Sequence, residues 1–163
     1  LKQLLSSRIK TVGVFVNEEV TEVADIAGEV GLAVVQIHGD EAPEYIHKLR
    51  GQLSPQTQIW KAIRVKDGDS IKRIADYKVD AFVLDAYVKN AYGGAGKTFD
   101  WDLALNAGKY GKIVLAGGLS PQNVKKAIST VQPFAVDVSS GVETDGVKDQ
   151  EKIREFVNTV RSY

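Results

Sequence analysis

The sequence predicts an α/β chain in which short parallel strands alternate with helices, and three observations carry the prediction. Six apolar, β-branched runs occur at residues 12–16, 33–37, 59–65, 81–84, 113–115 and 134–138, starting roughly 20 to 30 residues apart, the room that a crossover unit takes. Their apolar character is continuous rather than alternating, as in strands covered on both faces. Between them, apolar residues recur at i, i+3, i+4 and i+7, the stripe of an amphipathic helix.

Taken in order, the first run (VGVFV) is followed by Val20, Val23, Ala24 and Ala27 at helical spacing, with Asn17 available as a cap. The second run (AVVQI) leads into a helix that carries His47 on its solvated side. After the third run, Asp69 can cap a helix marked by Ile71, Ile74 and Ala75. The fifth run is followed by Ser120-Pro121, an N-cap with proline at the first helical position, ahead of Val124, Ala127, Ile128 and Val131. Beyond the sixth, Ile153, Phe156, Val157 and Val160 form the last stripe.

Strand–helix alternation implies a parallel sheet with right-handed crossovers. Six such units suit either an open doubly wound sheet or an eight-stranded (β/α) barrel short of its first two strands. Residues 1–7 look like the last turns of a helix with no strand before it, whereas the carboxyl end closes on a full helix, which places the deficit at the amino end. No linker or low-complexity tract divides the 163 residues, so a single domain over 1–163, amino-terminally incomplete, is expected.

Composition narrows the function. Lys plus Arg and Asp plus Glu both number 21, and no basic run exists to neutralise a nucleic acid backbone, so nucleic acid is not an expected partner. The apolar runs are strand-sized, so no membrane span or signal peptide is expected. The chain has no cysteine, which excludes disulfides and thiolate metal sites and agrees with a cytoplasmic setting. Two separated histidines, His38 and His47, make no metal cluster. Methionine is also absent, even from position 1, which implies a processed, engineered or partial chain.

The chemistry-bearing segments lie at strand ends. LAGGLSPQNV ends a buried strand in Gly117-Gly118, and FAVDVSSGVE ends the next in Ser139-Ser140-Gly141. Small residues there expose backbone N–H groups to an anion at a helix amino end, and barrels often bind phosphate in the loops after their last two strands. Either loop alone is explained equally well as a tight turn, but two at consecutive strand ends favour a phosphate. Asp85 closes the strand AFVLD and stands where a barrel holds its catalytic groups, as a general acid or as a turn residue. Asp137 falls within the sixth run, so it either points into the barrel or pairs with a buried donor. Gln36 and His38 alternate in VVQIHG and share one face of their strand. GGAGKT, within 91–101, is too short for a nucleotide-binding loop and suits a lid or substrate loop.

VGVFVN, VVQIHG, VLD, YGGAGKTFDW, LAGGLSPQNV and FAVDVSSGVE, in that order, resemble phosphoribosylanthranilate isomerase of tryptophan biosynthesis. The resemblance runs from Val12 to the final helix and implies a (β/α)8 TIM barrel with about six of its eight units present here. It implies the Amadori rearrangement of N-(5′-phosphoribosyl)anthranilate to 1-(2-carboxyphenylamino)-1-deoxyribulose 5-phosphate, without metal or organic cofactor, in a monomer or homodimer. By the same resemblance Asp85 is the acid that protonates the ribose ring oxygen, and Gly117, Gly118, Ser139, Ser140 and Gly141 hold the phosphate. Asp137 faces the sugar hydroxyls, and Gln36 and His38 stand beside the reacting centre.

The family pattern also includes a KICG-like first strand, whose cysteine is the general base, and an arginine after the second strand that holds the anthranilate carboxylate. Neither is matched here, which implies about 40 further amino-terminal residues in the native enzyme, as two βα units require, and no competent activity from these residues alone. Another phosphosugar barrel, or a non-catalytic fragment that keeps the phosphate loops, shares most of these features.

Overall fold

The computed structural model describes residues 6, 9–86, 98–105 and 107–163. The helical turns expected within 1–7 and the glycine loop at 91–97 lie, apart from Ser6, outside the described residues. All six expected strands form: β1 (Val12–Phe15), β2 (Val34–Ile37), β3 (Gln58–Val65), β4 (Ala81–Ala86), β5 (Ile113–Leu115) and β6 (Ala135–Val136). They make one sheet in the order β1-β2-β3-β4-β5-β6, every neighbouring pair parallel. A doubly wound sheet reverses its strand order at a switch point. Strictly sequential order is the arrangement of a partial (β/α) barrel.

Helices α1 (Val20–Val30), α2 (Pro43–Gln52), α3 (Gly68–Lys72), α4 (Val124–Val131) and α5 (Gln150–Arg161) supply the outer layer. Side-chain alternation and register decide what each face of the sheet does. Val35, Ile37 and Ile59 face outward and bury Val23 and Ala27 of α1 with Ile46 and Leu49 of α2. Leu84, Leu115 and Phe82 do the same against Ile71, Ile74, Val124, Ala127 and Phe156. Each buried Val, Leu, Ile or Phe among them contributes about 1.5–3 kcal/mol.

The inner positions are smaller and form a separate cluster, Ala62, Ala81, Val83, Val114 and Ala116. Climbing β4 from Ala81 through Val83 reaches Asp85, and climbing β2 from Val34 reaches Gln36 and His38. An apolar floor thus gives way to a polar mouth at the carboxyl ends of the strands.

Four local expectations need correction. Covering on both faces holds for β2, β4 and β5 but not for β1, where Val12, Val14 and Val16 are 42%, 58% and 41% exposed; among the described residues β1 pairs with β2 alone. The caps differ as well. Asn17 does not cap α1: it takes a left-handed conformation (φ 54°) and its Oδ1 accepts from the Asp40 N–H at 2.8 Å. Asp67 rather than Asp69 caps α3, in a reciprocal box with Ser70. Residues 121–123 form a turn before α4, and Asn123 closes it by accepting from Ser120 N–H (2.8 Å) and donating to the Gly118 carbonyl (2.9 Å). The unexpected element is an antiparallel hairpin, β7 (Glu143–Thr144) and β8 (Val147–Lys148). Its turn is Asp145-Gly146, both at positive φ (52° and 78°), the pairing that two-residue hairpins favour.

Candidate active site

Every residue singled out from the sequence for catalysis or binding lines one open cavity of about 410 Å³ at the carboxyl ends of the strands: Gln36, His38, Asp85, Gly117, Gly118, Asp137, Ser139, Ser140 and Gly141. A larger hollow of about 550 Å³ lies between the end of β3 and α3. Its basic residues include Lys61, ion-paired to Glu41, and Arg64, ion-paired to Asp40. None of the nine lies there, so the smaller cavity is the candidate site.

Its floor is a buried hydrogen-bonded chain. Gln36, His38 and Asp85 are 5%, 7% and 4% exposed. The Gln36 amide nitrogen donates to His38 Nδ1 at 2.9 Å, so Nδ1 is the acceptor and the ring proton sits on Nε2. Nε2–H in turn donates to Asp85 Oδ2 at 3.1 Å, while Asp85 Oδ1 accepts from the Ala86 N–H at 2.8 Å. The strand pattern makes this possible, because inner-face alternation stacks Gln36 and His38 along β2 and sets Asp85 at the top of β4.

Asp137 lies one residue beyond β6 rather than within a strand, though its N–H still donates to the Leu115 carbonyl at 2.8 Å. It opens into the cavity. Protein crowding around the carboxyl, then the negative charge of Asp85, raise its pKa above the usual aspartate value, with His38, the Val138 N–H and Lys148 opposing. Solvent reaching the exposed side chain moderates that rise.

The two small-residue loops touch each other. Gly117 and Gly118 are left-handed (φ 80° and 64°), and a Cβ on Gly117 would come within 2.5 Å of Ala86 N and 2.9 Å of Asp85 Oδ1. A Cβ on Gly141 would stand 1.7 Å from the Leu119 carbonyl oxygen. Only glycine lets the loops approach this closely.

Six further residues line the cavity: Val14 on β1, Val16 just beyond it, Ala116 and Leu119 on either side of the glycine pair, Val138, and Lys148 on β8. Val14 and Val16 share a face by simple alternation. Lys148 was signalled by Asp-Gly between two short β-prone pairs. Among the described residues no group of three or more acidic or histidine side chains is placed to hold a metal. No helix among them is long and apolar enough to cross a membrane.

The comparisons with known proteins decide the family. The description N-(5'phosphoribosyl)anthranilate (PRA) isomerase belongs to the family model that matches residues 2–159. The chain belongs to this isomerase family. The family's activity is phosphoribosylanthranilate isomerisation in tryptophan biosynthesis, and the partial TIM barrel described above is its fold. The Acetivibrio thermocellus N-(5'-phosphoribosyl)anthranilate isomerase is 54% identical over 99% of this chain and 76% of its own length. A Thermotoga maritima structure, of monomers generated from a dimeric phosphoribosylanthranilate isomerase, is 37% identical with a TM-score of 0.81, covering 96% of this chain and 74% of that one. A third isomerase structure, in complex with reduced 1-(o-carboxyphenylamino)-1-deoxyribulose 5-phosphate, is 35% identical with a TM-score of 0.81, over 99% and 76%.

Proposed function

We propose that the 410 Å³ cavity binds N-(5′-phosphoribosyl)anthranilate, with Asp85 as general acid and the Gly117-Gly118 and Ser139-Ser140-Gly141 loops on the phosphate. The observation that carries this reading is the convergence of all nine residues on one cavity, with the carboxyl of Asp85 beside the glycine loop. A phosphomonoester held there leaves the ribose over Asp85 and Asp137. Protonation of the ring oxygen breaks its bond to C1′ and leaves an iminium, and loss of the C2′ proton then gives the enolamine that becomes the ketose. His38 and the Ala86 N–H orient the Asp85 carboxyl, and Gln36 fixes the His38 tautomer. Val14 and Val16 offer the anthranilate ring an apolar wall.

A second reading has its own support: burial and then the negative charge of Asp85 raise the pKa of Asp137 above the usual aspartate value, which suits it to carry a transferable proton. Turnover and pH profiles of Asp85→Asn and Asp137→Asn separate the two. Loss of a positioned acid lowers kcat by roughly 10²- to 10⁴-fold, and that loss is expected in Asp85→Asn. A deeper loss in Asp137→Asn than in Asp85→Asn overturns the assignment.

The 163 residues contain no cysteine, and the resemblance assigns the C2′ base to one. Assayed by themselves they should bind ligand yet turn over roughly 10²- to 10⁴-fold below a site with a positioned base. A monomer or homodimer acting in the cytoplasm agrees with the dimeric relative and with the absence of cysteine.

A further inference from the structure

The hairpin β7–β8 brings one cation to the rim of the cavity. Lys148 is the only lysine or arginine among the described residues lining it, against two aspartates. Its ammonium has three acceptors: the Ser139 carbonyl at 3.0 Å, the Ser139 hydroxyl at 3.3 Å, and the Glu143 carboxylate directly across the hairpin. A serine oxygen that accepts from an ammonium keeps its own O–H free to donate elsewhere. Ser139 is exposed in the same cavity.

An exposed cross-strand ion pair stabilises a hairpin little. The hairpin is secured without it: Asp149 N–H donates to the Val142 carbonyl at 2.9 Å, Thr144 Oγ1 to Asp149 at 2.7 Å, and Lys152 Nζ to the Glu143 carbonyl at 2.6 Å. Meanwhile a phosphomonoester brings nearly two negative charges at neutral pH into a cavity that already holds Asp85 and Asp137. Backbone N–H groups offer direction but no full charge. Lys148 is the one group in the described lining that can offset the ligand's charge.

We propose that Lys148 is a further substrate-binding residue: its ammonium takes a phosphate oxygen of the sugar phosphate and directs the Ser139 hydroxyl onto another, while Glu143 competes for the same ammonium in the free site. The proposal rests on the phosphate reading of the two loops.

Calorimetric titration of the chain with ribose 5-phosphate and with ribose tests the two separately. If the unmodified chain binds ribose 5-phosphate no better than ribose, the phosphate reading itself fails. Given a phosphate-dependent affinity, Lys148→Ala should weaken ribose 5-phosphate binding about 10- to 100-fold, Lys148→Arg should restore most of it, and Glu143→Gln should tighten it several-fold. A merely structural ion pair predicts the opposite for Glu143→Gln, because either variant would break it and weaken binding alike. Lys148→Ala with unchanged affinity, or Glu143→Gln with weakened affinity in a chain whose melting temperature is retained, overturns the proposal.

Discussion

Two clusters of charge sit back to back at the carboxyl end of the same sheet, one on each face, and they are built differently. On the outer face Lys61 is 2% exposed, and its Nζ donates to the carbonyls of Gly39 (2.8 Å), Ala62 (3.2 Å) and Ile37 (3.4 Å) and to Glu41 Oε2 (3.2 Å). Glu41 Oε1 takes the Asn17 N–H at 2.7 Å. The loops after β1 and β2 are thereby tied to β3. Burial pushes the Lys61 pKa down, and Glu41 holds it up. On the inner face the chain from Gln36 to Asp85 is equally buried at its base but opens through Asp137 and Lys148 to solvent and ligand. Enclosure makes the first cluster a fastening, and the opening leaves the second free to exchange protons and partners.

Breaking the outer cluster should therefore produce the larger effect on folding. Lys61→Met strands the Glu41 carboxylate in the protein interior, and removing one member of a buried pair costs roughly 3–5 kcal/mol. Chemical denaturation should show that loss, and Lys61→Met combined with Glu41→Leu should recover most of it. A single variant within about 1 kcal/mol of the parent, the scale of an exposed pair, would erase the distinction between the clusters.

The inner cluster is better probed through its tautomer. Gln36→Leu keeps the volume but frees His38 Nδ1, so the imidazole no longer has to present Nε2–H to Asp85. We expect a loss near tenfold in kcat, about 1.4 kcal/mol in the barrier, with a stability cost of about 1–3 kcal/mol for the buried ring nitrogen left unpaired, below that of Lys61→Met. Nitrogen NMR of the His38 ring should show the Nε2–H tautomer in the parent and a mixture in the variant; a mixture in both would remove Gln36 from the mechanism.

What the sequence could reveal of this contrast follows from how each feature is encoded. Alternation along VVQIHG and AFVLD places Gln36, His38 and Asp85 on the inner face without knowledge of any contact. The sheet order followed from βα repetition, because each crossover sets its strand beside the last. The outer cluster was invisible for the opposite reason: Lys61 is one of two charges, with Arg64, in a mostly apolar run, and its partner Glu41 lies 20 residues away on the far side of α2. Helix starts also misled, since Asn17 and Ser120 have the chemistry of caps, yet tertiary demands set Asn17 to bridging two loops and left Ser120 held by Asn123. Asp137 looked like a strand residue because β6 pairs over only two residues, a length set by its neighbours rather than by its own composition. Exposure of Val12, Val14 and Val16 is likewise a property of the sheet around them.

The smallest expected effect discriminates most sharply between a fastening and a working site. With its pKa raised in the folded protein, Asp137 keeps a proton that the unfolded chain has already released, at pH values between the ordinary aspartate value and the raised one. Its favourable contribution is complete below the unfolded pKa and is lost as pH rises through the folded one, where the ionised carboxylate faces Asp85. Asp137→Asn cannot ionise, so parent and variant should melt alike in acid. The variant should then gain an advantage as pH climbs toward neutrality, of about 0.5 kcal/mol or less because the group is open to solvent. The same substitution should weaken sugar phosphate binding. Stability gained where function is lost is the mark of a residue kept for chemistry. Should the parent prove the more stable at neutral pH, with no pH-dependent gap, Asp137 belongs with Lys61 among the fastenings instead.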